Sequence, residues 1–221
     1  MIDLDKKKSK KKMSIDDLTQ MFMDVINDQN LKLIEGIEFL IKEDFDNFKK
    51  NLEYVIETQT ELEVKKAFEE KIFKSKLIFS KADRLKVFSK INDIKAIGEF
   101  LANKMLLYKV VFPDDDFKLQ IELILKYLKQ ISIDLADAVK SIGSDLTRAH
   151  DICENIKEER RKMRNIEWQL LMRLWNYDMD YLSRTFLYLK ELIEGIMMLA
   201  DHMKKFAEYI QFLATKYFYF K

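Results

Sequence analysis

Acidic and amide side chains interrupt an otherwise apolar helical pattern in the stretch INDIKAIGEF, residues 91–100. Asn92, Asp93 and Glu99 supply oxygen donors there, and hard metal ions bind oxygen donors. Carboxylates four residues apart lie on one face of a helix, which is the spacing that a shared metal ion needs. The stretch is therefore open to three interpretations: a metal-binding helix, a degenerate remnant of one, or the polar side of an ordinary amphipathic helix.

His150 and Cys153 are the other pair whose types could do chemistry, because a spacing of three makes them neighbours on a helix. A nucleophilic pair is one interpretation, and a core thiol beside a surface imidazole is the one we favour. The sequence has no Gly-rich phosphate loop, no Gly-x-Ser-x-Gly and no zinc-finger spacing. We expect the protein not to be an enzyme.

Basic residues cluster in two places. Residues 1–13 contain six Lys, which predicts a solvated, disordered basic tail that could also meet anionic lipid. Arg160, Arg161, Lys162 and Arg164 could meet phosphate, an acidic partner or carboxylates of a facing helix, and we favour internal salt bridges. The net charge of only +1 argues against a nucleic-acid partner.

The composition requires long helices to position these residues. Apolar residues make up 48% of the 221, with one Pro and four Gly, so the chain can bury a core and has few helix breakers. The single cysteine excludes an intrachain disulfide. Helical periodicity predicts six helices, over about 15–42, 45–76, 81–109, 114–142, 146–176 and 179–216.

Polar residues mark several helix starts: Ser14, Ser80 and the Asp114-Asp115-Asp116 run after the sole proline, Pro113. We prefer a helix start to metal binding for that run. The fourth helix carries a heptad seam. Its residues are Phe117, Ile121, Ile124, Leu128, Ile131, Leu135, Ala138 and Ile142.

Three predicted helices precede Pro113 and three follow it. The sequence thus predicts an all-α protein of six long antiparallel helices, arranged as two three-helix units in an elongated bundle. Residues 14–221 would form one domain of two pseudo-repeats, about 14–110 and 114–216.

Two long stretches resemble the PhoU-like proteins, in particular the branch of phosphate-transport regulators or Pit accessory proteins. They are KIFKSKLIFSKADRLKVFSKINDIKAIGEFLANK, residues 71–104, and LLMRLWNYDMDYLSRTFLYLKELIEGIMMLADHMKKFAEYI, residues 170–210. The resemblance covers nearly all of the chain after residue 20 and depends on the order and length of the parts. It implies a pair of three-helix bundles and a role beside phosphate uptake.

The resemblance also implies acidic helix motifs, Glu/Asp-x-x-x-Asp, that hold multinuclear iron or zinc clusters. Where the first motif reads Leu-Asp-Asp-Ile-x-Asp, this sequence has INDIKA. Asp93 matches the second Asp, Asn92 could offer a neutral oxygen, and Ala96 offers no ligand. Lys95 adds a positive charge beside the site.

The remaining motifs are also incomplete. The last one falls on Met197 and Asp201, and the fifth helix has the basic run 158–164 in place of an acidic stretch. We therefore predict degenerate metal sites and no required cofactor, with iron, zinc or manganese as the metals that a retained site would bind. The candidate ligands are Glu57, Glu61, Asp93, Glu99, Glu194 and Asp201.

Each candidate could instead be a solvated carboxylate or one half of a pair at four-residue spacing. Asp201 is the exception, since it follows Ala200 on the core seam of the sixth helix, and a carboxylate near a core needs a partner. The aromatic end from Tyr217 to Phe220 could pack back on the bundle, dock a partner or rest at a membrane interface, and we favour the first.

The resemblance implies an accessory or regulatory protein that works through protein–protein contacts with an inner-membrane phosphate transporter or its regulator. We expect a cytoplasmic protein, with peripheral contact at the inner face of the membrane and homo-oligomerisation both left open. Two alternatives stay open: a metal-binding helical bundle with its own chemistry, and a coiled-coil assembly module.

Overall fold

The computed structural model describes residues 13–57, 61–72, 80–108, 110–176 and 183–218. Their regular structure is entirely helical, as the periodicity predicts. The helices are α1 (Ile15–Ile41), α2 (Phe45–Glu57), α3 (Glu61–Ile72), α4 (Lys81–Leu106), α5 (Asp115–Ser141), α6 (Leu146–Trp175) and α7 (Arg184–Phe218). The predicted Lys-rich tail, apart from its last residue, and the aromatic residues 219–220 lie outside this described part.

Polar side chains begin the helices at the predicted positions. Ser14 Oγ accepts a hydrogen bond from the Asp17 N–H at 3.0 Å, and Asp17 accepts one from the Ser14 N–H at 2.8 Å, which closes a capping box. Ser80 caps α4, and Asp114 caps α5 by accepting from the Phe117 N–H at 2.8 Å. These bonds satisfy N–H groups that have no partner within their own helix.

The predicted second helix, 45–76, corresponds to α2 and α3 in the described part of the chain. Residues 58–60 between them lie outside the described part. Leu52 of α2 and Phe68 of α3 are both buried, so the two segments keep the apolar side that the single-helix pattern predicts. The described helices therefore number seven instead of the predicted six.

The helices pack in two sets of neighbours. In the first set, α1 packs against α2, α3 and α4, and α2 also packs against α4. In the second set, α6 packs between α5 and α7, which also contact each other. The sets join where α1 packs on α5 and α4 packs on α7. Helix α6 is an outer helix, with one side in the core and the opposite side in solvent.

The core follows the predicted seams. All the heptad-seam residues from Phe117 to Ile142 are buried. Two predicted core residues, Phe73 and Leu182, lie outside the described part. At the junction between the two sets, Ser132 Oγ of α5 donates to Asn27 Oδ1 of α1 at 2.7 Å. The junction is therefore joined by a polar contact as well as by apolar packing.

Candidate functional site

The predicted metal ligands lie on several helices. Glu57 is exposed at the end of α2, and Asp93 is half-buried on α4. Glu61 begins α3, but its side chain lies outside the described part. Within the described ranges, no three His, Cys, Asp or Glu side chains come close enough to hold a metal ion. A metal site that includes Glu61 stays a prediction.

Two other candidates form ion pairs within their own helices. Glu99 Oε1 lies 2.7 Å from Lys95 Nζ, and Glu194 Oε1 lies 2.6 Å from Lys190 Nζ. Both pairs have the four-residue spacing that stabilises a helix by about 0.2–0.5 kcal/mol. The ammonium groups offset the negative charge that would attract a metal ion.

Asp201 lies beside two arginines of α6. Its Oδ1 accepts a hydrogen bond from Arg160 Nε of α6 at 2.8 Å, and Arg164 Nη2 lies 3.9 Å from the same oxygen. Arg160 Nη2 also lies 3.6 Å from Oε2 of Glu167. Arg160 is only 3% exposed, so its guanidinium is buried where α6 packs on α7. We call Arg160, Arg164, Glu167 and Asp201 the Arg160 cluster.

Within the Arg160 cluster, the guanidinium of Arg160 is the cation that pairs with the carboxylates of Glu167 and Asp201. Burial raises the pKa of Glu167, and the charge of Arg160 acts against that rise. A buried guanidinium needs such anionic partners because its removal from water is costly. Since the guanidinium lies between the carboxylates of Glu167 and Asp201, these residues do not fit a metal ion bound at Asp201.

The sequence predicts salt bridges for the basic run of α6, and three of its four basic residues form them. Besides the Arg160 cluster, Lys162 Nζ lies 2.8 Å from Glu159 Oε1. The burial of Arg160 is not evident from the sequence, because it depends on how α6 is rotated against α7. Arg160 Nη1 is buried and has no hydrogen-bond partner among the described residues.

Cys153 and His150 do not form a nucleophilic site. Cys153 is fully buried, and burial raises the pKa of its thiol to about 12. His150 Nε2 lies 2.9 Å from Gln211 Nε2, and its Nδ1 lies 3.5 Å from Asp151 Oδ1. The thiolate is the reactive form of cysteine, so this thiol is unreactive near neutral pH. The pair is a core thiol beside a partly exposed imidazole.

A partly open cavity of about 200 Å³ lies at the end of the bundle where α1 and α4 begin. Arg84 lines it, is 6% exposed and donates from Nη2 to Asp16 Oδ2 at 3.1 Å. Burial lowers the pKa of Arg84 to about 10, so the group stays charged at neutral pH. Asp83 also lines the cavity. Arg84 and Asp83 both have partners within the protein. The cavity therefore lies where these contacts join the ends of helices.

Asp83 ties the start of α4 to the end of α7. Lys216 Nζ donates to it at 2.7 Å, Tyr209 donates at 3.1 Å, and the Tyr217 hydroxyl donates to the same carboxylate. Burial alone would raise the pKa of Asp83, but hydrogen bonds from Lys216, Tyr217, Ser80 and Tyr209 outweigh it and hold the pKa at about 2. Tyr217 thus packs back on the bundle. Sequence reasoning missed Asp83 because Lys216 is 133 residues away in the chain.

The solvent side of α6 carries apolar residues that sequence reasoning also missed. Trp168, Met172 and Trp175 are 59%, 57% and 64% exposed. Their spacing of four and three, which was available in the sequence, places them on one side of the helix. The Trp175 ring meets the Phe186 ring of α7 edge to face, with centroids 4.8 Å apart. Trp175 is therefore held in place although most of it faces solvent.

Two solved structures share this fold. A PhoU-like phosphate regulatory protein from Shewanella oneidensis MR-1 matches with a TM-score of 0.73 and 13% identity, over 92% of this chain and 100% of that one. A PhoU-like protein from the same organism matches with a TM-score of 0.77 and 12% identity, over 92% and 100%. No protein-family model and no curated protein matches the sequence. The chain therefore has the PhoU-like fold that the resemblance implies.

Among the described residues, no helix is both long enough and apolar enough to cross a membrane.

Proposed function

We propose that this chain is an accessory or regulatory protein of phosphate transport, which acts through protein–protein contacts and not as an enzyme. The observation that carries the proposal is the fold, shared over 92% of the chain with a PhoU-like phosphate regulatory protein. A fold by itself does not fix a function, so the residues must be consistent with the proposal as well. The unreactive Cys153 thiol and the paired charges of the Arg160 cluster favour a scaffold over a catalyst.

The proposed partner is an inner-membrane phosphate transporter or its regulator, and the proposed location is the cytoplasm at the inner face of the membrane. We would delete the gene in its native cell and measure uptake of radiolabelled inorganic phosphate, in phosphate-rich and in phosphate-starved medium. Uptake should change in at least one medium and return to normal when the gene is restored. Sulfate uptake, measured in the same cells, is the control for general damage to the membrane.

A direct test is co-purification from detergent-solubilised membranes, with the phosphate transporter identified by mass spectrometry. Detergent removes the bilayer, so recovery of the transporter reports a protein–protein contact. Unchanged phosphate uptake in both media, together with no transporter in the purified sample, would refute the proposal.

An assembly module is the second candidate, and the outer side of α5 favours it. Leu119 and Leu123 are exposed there at four-residue spacing, beside the buried heptad seam of the same helix. Exposed apolar residues in such a row often mark a contact surface. The mass in solution across a range of concentrations tests it, with Leu119→Gln/Leu123→Gln as the variant that should stay monomeric.

A metal-binding bundle is the remaining alternative, and its sites would be the candidate carboxylates of α2, α3, α4 and α7. We expect protein purified without a His-tag to be free of stoichiometric iron, zinc and manganese by elemental analysis. Near-stoichiometric metal that is lost in Glu61→Ala/Asp201→Ala would establish the metal site instead.

A further inference from the structure

Both tryptophans of the chain, Trp168 and Trp175, lie on α6, and more than half of each side chain is exposed. Tryptophan is usually among the more buried residue types, since its ring carries a large apolar area. Two exposed tryptophans with Met172 between them form a continuous apolar strip. A shallow cavity of about 380 Å³, lined by the same three side chains, lies along this strip.

The strip is flanked by positive charge. Successive helical residues turn by about 100°, which places Arg161, Asn165 and the three apolar residues within about 80° of one another. We call these five residues the α6 outer face. Between residues 161 and 176 the charged side chains are Arg161, Lys162, Arg164, Arg173 and Glu167. Glu167 is largely buried in the Arg160 cluster. Lys162 pairs with Glu158 and Glu159, and Arg173 pairs with Asp114 and Asp116 of α5. The exposed positive charge beside the strip is therefore that of Arg161 and Arg164.

The size of the strip argues against a second copy of the chain as its occupant. Three side chains of these types, a little over half exposed, present roughly 400 Å². A stable protein complex buries about 800 Å² on each partner. A bilayer has no such requirement, because tryptophan rings insert among lipid headgroups singly and cations add to their binding.

We infer that the α6 outer face is a docking surface for a bilayer that contains anionic phospholipid, with Trp168 and Trp175 inserted at the headgroup level. The exposed guanidinium groups of Arg161 and Arg164 face the lipid phosphates. The inference rests on the proposed function, because an accessory protein of a membrane transporter works beside a bilayer. The acidic residues Glu154 and Glu158 of the same helix set the limit of the surface, so the C-terminal half of α6 makes the contact.

The test uses the full chain and two kinds of vesicle, phosphatidylcholine alone and phosphatidylcholine with one quarter phosphatidylglycerol. With the anionic vesicles, the tryptophan emission should shift to shorter wavelength, and lipids with brominated acyl chains should quench it. Flotation should show the protein on the same vesicles and not on the neutral ones. The six lysines of residues 1–13 could attract anionic vesicles by charge alone. Quenching, and not flotation, therefore distinguishes insertion of the tryptophans from binding through the lysines.

Trp168→Gln/Trp175→Gln should weaken binding to the anionic vesicles about tenfold. The single variants each keep one tryptophan, and the remaining ring should still be quenched. Phe100→Gln is the matched control, since Phe100 is 56% exposed on α4 and should not matter.

Vesicle binding without quenching would overturn the inference and assign the binding to the lysines. An emission shift that depends on protein concentration and needs no vesicles would also overturn it, in favour of a second copy. If the wild-type protein binds neither kind of vesicle, the inference is overturned. If the tests of phosphate uptake and transporter co-purification still give the proposed results, the proposed function stands.

Discussion

The Arg160 guanidinium carries the buried positive charge where α6 packs on α7. We expect Arg160→Met to lower the free energy of unfolding by about 3 kcal/mol, because removing one member of a buried ion pair leaves carboxylates without their counter-charge. Urea denaturation measures the change. Arg161→Met is the matched control, since Arg161 is the next residue and is exposed. It should stay within about 0.5 kcal/mol of the wild type. Equal losses in the two variants would mean that Arg160 contributes only as a surface residue.

Cys153 provides a second test of a single side chain. Its thiol is fully buried and its pKa is raised to about 12 by that burial. We expect a thiol reagent at pH 8 to label the native protein only as fast as the protein unfolds, and to label it at once in concentrated urea. Mass spectrometry of timed samples measures both rates. Fast labelling of the native protein would place the thiol at the surface and reopen the nucleophile interpretation.

The turn between α1 and α2 contains the one non-glycine residue with positive φ in the described part, Glu43 at φ 61°. Glycine adopts this conformation without steric cost, whereas other L-residues lose roughly 1–2 kcal/mol in it. Glu43→Gly also increases the freedom of the unfolded chain and removes the exposed pair with Lys118. We expect a net gain of about 0.5 kcal/mol in the free energy of unfolding.

Lys42→Gly is the control for that variant, because Lys42 precedes Glu43 and has an ordinary φ of −81°. It should lose about 0.5–1 kcal/mol in the same urea titration, since only the unfolded-chain effect applies. If both glycine variants lost stability equally, the turn would not depend on its left-handed residue.

Helices are the part of this structure that the sequence predicts well, because their signals are local. Ser14, Ser80 and Asp114 act as caps where expected, and the α5 seam is buried as its heptad spacing predicts. The apolar pattern of the second predicted helix continues through both α2 and α3. Contacts between helices were not predicted, because they depend on how the helices pack: Arg160 meets Asp201 only because of the register of α6 against α7.

The two sets of helices are held together at one end by a contact between residues that are far apart in the chain. Asp83 at the start of α4 receives hydrogen bonds from three residues at the end of α7, so the first set is tied to the last helix of the second. Arg84 beside it pairs with Asp16 of α1. This end of the molecule therefore depends on ionised carboxylates, and its stability should depend on pH.

Asp83→Asn tests that dependence. The folded pKa of Asp83, about 2, lies below its ordinary value of 3.8, so the carboxylate stabilises the fold at neutral pH and loses this effect as the pH falls through its folded pKa. We expect the variant to be less stable than the wild type by about 1–2 kcal/mol at pH 7, and the difference to shrink between about pH 5 and pH 2.

Asp115→Asn is the control, because its side chain is 96% exposed and should matter by less than about 0.5 kcal/mol at either pH. Urea titrations of the three proteins at pH 7 and pH 2.5 provide the comparison. A deficit of Asp83→Asn that is the same at both pH values would trace the loss to altered shape and not to charge. A deficit that is much smaller at pH 2.5 than at pH 7 would show that the ionised Asp83 holds α7 to the start of α4, and hence one set of helices to the other.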